Sequence, residues 1–221
     1  MIDGYYQRQA GMLPPDTLDK LPIAVAGVGA VGRQVVLQLA SAGARNIQMF
    51  DHDEVEDVNI GPQGWSPNDV GMDKVYALSK ELAHKYDETI DFCIQPRKCR
   101  FPADTPTPVP KVLFCCVDGI ETRNRIFCNH RDSFELFLDS SVAADVIHIL
   151  ACCEKEHLDY YPTTMFSEGD AFRGSCTTKM SIHMANIAAG LLIQQLSKWL
   201  RQLPIDRHVM FNLLSMEAFC K

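Results

Sequence analysis

The sequence predicts an α/β protein: a Rossmann-like, mostly parallel sheet with helices on both faces, plus antiparallel strands in the C-terminal half. Three observations carry that expectation. From residue 21 to about 130, apolar runs of strand length alternate with stretches of helix length, the pattern of right-handed βαβ units. The first run leads into Gly27-Val28-Gly29-Ala30-Val31-Gly32, a G-x-G-x-x-G turn between a strand and a helix. Beyond residue 135 the strand-like runs crowd together, which predicts antiparallel edge strands.

Each element has a local reason. Residues 1–20 form a polar N-terminal arm. Ile23–Ala26 is a short apolar strand feeding the glycine turn. Arg33–Ala42 reads as the first helix, stopped by Gly43. Asn46–Asp51 is a second strand, followed by a long loop rich in acid, Asn, Gly and Pro. A helix spans about Lys74–Tyr86, and "TIDFCIQ" is a third strand. Pro102–Pro110 carries four prolines and must run over the surface. "KVLFCCVD" is apolar almost throughout, so this fourth strand is central. A helix starts near Glu121, and "FELFLDS" and "DVIHILACC" are two further strands. The polar stretch at about 154–177 has few core signals and reads as a crossover loop. A long helix covers about 178–201. Its apolar part, Met180–Leu196, is broken by His183, Asn186, Gln194 and Gln195 and falls short of the ~20 residues a bilayer demands. It is therefore a buried core or interface helix. "HVMFNLL" is a last strand, and residues 1–221 make a single domain.

Composition narrows the function. A chain of 221 residues that is 47% hydrophobic and 22% charged is ordinary for a soluble globular domain. A net charge of −7 argues against broad binding to phosphate backbones. Residues 1–20 hold charges and prolines and no apolar leader run, which predicts a cytoplasmic protein. The nine cysteines are irregularly spaced and include no C-x-x-C pair, so the spacing of a zinc site is absent. Most of them are expected to be buried free thiols in a reducing compartment.

The glycine turn is the first chemical signal. Its glycines permit a tight turn, close approach of backbone to phosphate, and close packing of helix on strand. The helix N-terminus offers free N–H groups to an anion. Asp51 ends the second strand, where a carboxylate can accept the hydroxyls of an adenosine ribose. NAD and ATP share that ribose, so Asp51 leaves both open. The following loop separates them. Lys74 opens a helix within reach of a triphosphate, and Asp118 ends the fourth strand at the same crevice, where a lone carboxylate is a natural magnesium ligand. A lysine and a metal-binding carboxylate suit attack on an α-phosphate and need no redox cofactor. An NAD(P)-dependent oxidoreductase is the disfavoured alternative.

These residues lie in stretches that together resemble the ThiF/MoeB superfamily, relatives of the ubiquitin-activating enzymes. The matching stretches are "YYQRQAGM", "VAGVGAVGRQVVLQLASAG", "FDHDEVEDVN", "GMDKV", "CCVDGIETRN" and "GSCTTKM", across about residues 5–180 in the family's order. The resemblance implies an adenylation domain. It would use ATP and Mg2+ to adenylate the C-terminal carboxylate of a small ubiquitin-like or sulfur-carrier protein. It places Gly27, Gly29, Gly32, Asp51, Asp53, Asn59, Gln63 and Lys74 on the nucleotide and Asp118 on magnesium. It also implies a homodimer in which Arg8 reaches the neighbouring subunit's ATP. Cys176, just before the long helix, matches the family's reactive cysteine. A thiol there has a helix N-terminus to lower its pKa and could form a thioester.

Two departures stand out. The family's loop reads N-x-x-R-Q, with its arginine on ATP, whereas this chain reads "NIGPQ" and has Pro62 at that position. Proline donates from neither side chain nor backbone. The C-x-x-C pairs of many members are also missing, with Tyr161 and Thr164 at the first, so no zinc is expected. The alternatives within this reading are adenylation of a peptide or tRNA-bound carboxylate, or a nucleotide-binding scaffold with impaired catalysis. The acidic balance weighs against tRNA.

Overall fold

The computed structural model describes residues 4–86, 93–102, 106, 109–165 and 180–221. Eight strands form a single sheet: β1 (Ile23–Ala26), β2 (Asn46–Asp51), β3 (Cys93–Lys98), β4 (Val112–Cys115), β5 (Leu136–Ala143), β6 (Val146–Cys152), β7 (His208–Asn212) and β8 (Glu217–Cys220). Their order is β3-β2-β1-β4-β5-β6-β7-β8. β1 to β5 are mutually parallel. β6, β7 and β8 each run antiparallel to the strand before. This is the expected Rossmann-like sheet with antiparallel strands added at its C-terminal side.

The helices are α1 (Pro15–Leu18), α2 (Ala30–Ala42), α3 (Lys74–Tyr86), α4 (Ile120–His130), α5 (Lys155–Tyr160) and α6 (Ile182–Leu200). β1, β2 and β4 are buried on both faces, as a parallel sheet covered by helices requires. Alternate residues therefore feed two cores. Ile23, Val25, Ile47, Met49 and Phe114 meet Val35 and Leu39 of α2, Leu78 of α3 and Leu192 of α6. Ala24, Ala26, Phe50 and Leu113 meet Ile126 and Phe127 of α4 on the other face. The apolar stripe of α6 faces inward at Met184, Ala185, Ala188, Leu192 and Leu196, while His183, Asn186 and Gln194 are exposed. That is the buried helix the sequence predicts. No helix among the described residues is long and apolar enough to cross a membrane.

Several expectations need correction. The first helix begins at Ala30, inside the glycine motif, because Arg33 N–H bonds to Gly29 O at 3.0 Å. Gly43 does stop it, in a left-handed turn with φ of 106°. The third strand lies at Cys93–Lys98, later than "TIDFCIQ"; residues 87–92 lie outside the described residues. The polar stretch after β6 is not simply loop, since α5 and a 3-10 turn (Tyr161–Thr164) occupy its start. Tyr161 is fully buried, with its ring centroid 4.3 Å from that of Phe127. Burying a large apolar side chain of this kind is worth about 1.5–3 kcal/mol. β8 is an exposed four-residue strand with no alternation to betray it. Among the described free thiols, Cys115 and Cys152 are buried, but Cys99, Cys128, Cys153 and Cys220 are exposed.

The N-terminal arm is anchored rather than trailing. Tyr6 is buried, with its hydroxyl 3.1 Å from Arg45 Nη2 and the Arg45 guanidinium 5.6 Å above its ring. Gln9 Nε2 donates to Ala42 O at 2.8 Å, and Ser197 Oγ donates to Met12 O at 2.6 Å.

Candidate nucleotide site

The site forms at the carboxyl ends of β1, β2 and β4, where an open α/β sheet places its ligands. Gly27 leaves β1 with φ of 86°, a left-handed conformation that favours glycine. A Cβ there would also lie 2.8 Å from Cys116 O, at the end of β4. Gly32 is more constrained still, because a Cβ on it would stand 1.8 Å from Gly27 O. Helix and strand can approach this closely only with no side chain between them. Gly29 is different. Its nearest neighbour would be Gln63 Nε2 at 4.0 Å, so the space beside it is open. The N–H groups of Ala30, Val31 and Gly32 precede the first intrahelical bond of α2 and are available to an anion there.

Asp51, at the end of β2, is 8% exposed. Its Oδ2 accepts from Val28 N–H at 2.7 Å and its Oδ1 from Asp53 N–H at 2.9 Å. The carboxylate thus pins the glycine turn to β2, a role the sequence did not disclose. Each oxygen keeps lone-pair capacity for a ribose hydroxyl.

Asp53 joins the strand to α3. Its carbonyl accepts from Lys74 N–H at 3.0 Å, and its carboxylate holds Lys74 Nζ at 3.2 Å. Lys74 is 6% exposed, so its ammonium is largely withdrawn from water and pairs with the Asp53 carboxylate. His52 Nε2 lies 3.4 Å from Asp53 Oδ1, and Asp51, His52 and Asp53 form a cluster able to hold a cation.

The loop bearing Pro62 covers the turn. Asn59 Oδ1 accepts from Glu56 N–H at 3.1 Å within a capping box, which leaves its amide nitrogen outside that bond. Ile60–Gly64 makes a π turn containing Pro62, and Gln63 leans over Gly29. Sequence reasoning missed Arg33, whose guanidinium serves this loop. It donates to Gln63 O at 3.3 Å and to Glu81 Oε2 of α3 at 2.6 Å, and it stacks 4.8 Å from the Trp65 ring. Gln34 Nε2 reaches the same carbonyl at 3.3 Å. The available signal was a polar pair, Arg33 and Gln34, directly after the third glycine, where apolar residues would pack most simply.

Asp118 lies past the end of β4, exposed, and no hydrogen bond or ion pair among the described residues engages its carboxylate. Gly119, not Asp118, is the N-cap of α4. The backbone just before it is fixed from below. Arg123 of α4 donates to Val117 O and Ser140 O and pairs with Asp139, which also accepts from Tyr161 Oη at 2.7 Å. Burial pushes the Asp139 carboxyl up, against the pull of Arg123. Cys116 is also a packing group, since burial pushes its thiol up to about 12.

Two further expected site residues are Arg8 and Cys176. Arg8 is exposed on the anchored arm, between Tyr6 and Gln9. Cys176 lies outside the described residues.

Comparison with known proteins fits this geometry. Ubiquitin-like modifier-activating enzyme 5 of Caenorhabditis elegans is 25% identical over 221 aligned positions, covering 87% of this chain and 51% of that protein. The enzyme of the same name from Gallus gallus is 26% identical over 200 positions, covering 80% and 50%. The chain thus spans about half the length of the curated relatives it matches. Among solved structures, E. coli MccB with ATP superposes with a TM-score of 0.71 at 17% identity, covering 94% of this chain and 65% of that one. PaaA superposes with a TM-score of 0.74 at 18% identity, covering 98% and 68%. The ThiF family pattern matches residues 6–218, and the chain belongs to that family.

Proposed function

We propose that this chain is an ATP-dependent adenylating domain acting on the C-terminal carboxylate of a small ubiquitin-like or sulfur-carrier protein. The observation that carries this reading is the sealed glycine turn with the buried Lys74 ammonium on one side and the unengaged Asp118 carboxylate on the other. A dinucleotide redox site has no use for that pair. The names of the curated relatives support the same substrate class.

In this reading α2's first N–H groups and Lys74 bind the triphosphate, and Asp51 binds the ribose. Lys74 exchanges part of its bond to Asp53 for phosphate oxygen, which places positive charge where negative charge develops. The incoming carboxylate attacks the α-phosphorus, the bond to the β-phosphate oxygen breaks, and pyrophosphate leaves. Asp118 would hold magnesium, which supplies charge neutralisation to the phosphates. Arg8 completes the site of a neighbouring subunit, and Cys176 accepts the acyl group as a thioester. The free thiols fit a reducing, cytoplasmic setting.

ATP–pyrophosphate exchange, measured with candidate carriers ending in Gly-Gly and with short peptides, tests the reading. Exchange that needs the carrier and is lost in Asp118→Ala is the expected outcome. Pro62 favours one competing reading, a nucleotide-binding scaffold. ATP binding with no exchange, given the true partner, would establish that instead.

A further inference from the structure

A second thiol site lies at the far end of the sheet. β6 runs antiparallel to β5, so its last residue, Cys152, pairs with Phe137 near the start of β5. Leu136 is in turn level with Val112, the first residue of β4. Cys153 therefore emerges at the amino ends of the parallel strands, whereas Gly27, Asp51 and Asp118 lie at their carboxyl ends.

Three side chains converge there. Cys153 is exposed, and its Sγ lies 3.8 Å from His157 Nδ1. The other ring nitrogen, Nε2, lies 2.9 Å from Glu154 Oε1. The spacing has a simple origin. Cys153 and Glu154 precede α5, and His157 follows them by one helical turn, so all three meet on one face. His157 is 7% exposed, and its own carbonyl accepts from Cys152 Sγ at 3.6 Å. The imidazole is thus held by packing, and Glu154 selects the tautomer that leaves Nδ1 facing the thiol with a free lone pair.

The cluster opens into a cleft of about 400 Å³ walled by Trp199, Gln202, Leu203, Pro204 and Ile205. That volume falls in the range of small-ligand sites. Gln202 adopts φ of 55°, a left-handed conformation where glycine is the favoured residue. An amide side chain stands there instead, on the cleft wall. Burial and the Glu154 charge push the Cys153 thiol up, and His157 stands beside it as a base.

We propose that Cys153, His157 and Glu154 form a second nucleophilic site that accepts an acyl group from a thioester. The apolar wall suits the acyl chain, and the Gln202 amide suits the carbonyl oxygen; a disulfide would use neither. In the step, Sγ attacks the thioester carbonyl and His157 Nδ1 takes the thiol proton. The carbonyl–sulfur bond of the donor breaks, and the proton passes to the leaving thiolate. A new thioester on Cys153 and a free donor thiol result, with no change of oxidation state. An adenylate bound at the glycine turn lies at the opposite end of the strands, so it does not itself acylate Cys153. The site is independent of the adenylation reading.

The test uses the full chain and S-butyryl-N-acetylcysteamine, with peptide mapping by mass spectrometry to follow each cysteine. Exposed Cys99, Cys128 and Cys220 are internal references. Acylation of Cys153 about 10-fold or more above those thiols is expected, with a loss of about 100-fold in His157→Gln, the scale of a removed general base. Glu154→Gln, an exposed change that spares the fold, should cost a smaller part of that advantage. Equal rates at Cys153 and the reference thiols would overturn the proposal. So would a Cys153 rate insensitive to Glu154→Gln, or fast alkylation by iodoacetamide without acylation by the thioester.

Discussion

Single atoms decide the glycine turn. Gly32 has no room for a Cβ, while Gly29 has open space beside it. Gly32→Ala must therefore push α2 away from β1, with an expected stability loss of about 3 kcal/mol or more, read by urea denaturation. Gly29→Ala should fold normally and weaken ATP binding, read with a fluorescent ATP analogue, because its methyl group enters the space the phosphates need. Equal melting of the two variants would contradict that division. Lys74 poses a related question of charge. It is buried beside a half-exposed Asp53, so Lys74→Met should abolish exchange while changing the melting temperature little. A collapse of the fold would show instead that the lysine is structural.

At the scale of elements, the join between β6, β7 and α5 carries a chain of polar contacts. Tyr160 Oη lies 3.0 Å from His208 Nδ1, and His208 Nε2 lies 3.0 Å from His148 Nδ1. Burial lowers both histidines, and the neighbouring His148 and Lys221 lower His208 further. Two facing ring nitrogens at this separation share one proton, and a second proton breaks the contact. The sign follows from linkage. A lowered folded value means the unfolded chain binds more protons between that value and 6.5, so stability rises with pH through this window and falls on acidification. Urea midpoints should drop from pH 7.5 toward pH 5, and His208→Gln should flatten that dependence. An unchanged slope in the variant would remove the pair as its cause.

At the scale of the molecule, the anchored arm bears on assembly. Tyr6, Gln9 and Met12 fix the chain on either side of Arg8, which remains exposed. If Arg8 serves a neighbouring subunit, Arg8→Ala and Lys74→Met chains should each be inactive alone and complement each other when mixed. Half of the dimers are then mixed and hold one intact site of two, so roughly a quarter of full exchange activity should return. No recovery, or a monomer by sedimentation, would place Arg8 outside the reaction.

The fold and much of the site were legible because their signals are local. Apolar runs, Gly43 as a stop, and a glycine motif followed by an acid are patterns of neighbouring residues, and they set the Rossmann-like sheet and its crevice. What stayed hidden depended on residues far apart in the chain. Arg33 against Gln63 and Glu81, Tyr161 buried between α4 and β5, and the short exposed β8 have no periodic signature. Asp51 announced itself as a ligand-binding acid, yet its bond to Val28 N–H across 23 positions could be found only in three dimensions. The same holds for Cys153, an ordinary thiol in "LACCE" until the antiparallel turn of β6 carries it to the far end of the sheet. Sequence determined the shape of the glycine turn and the acid that follows it, because strand, turn and helix are contiguous there. Tertiary structure alone decided which distant polar groups satisfy one another, because that depends on how the packed layers bring separate elements into contact.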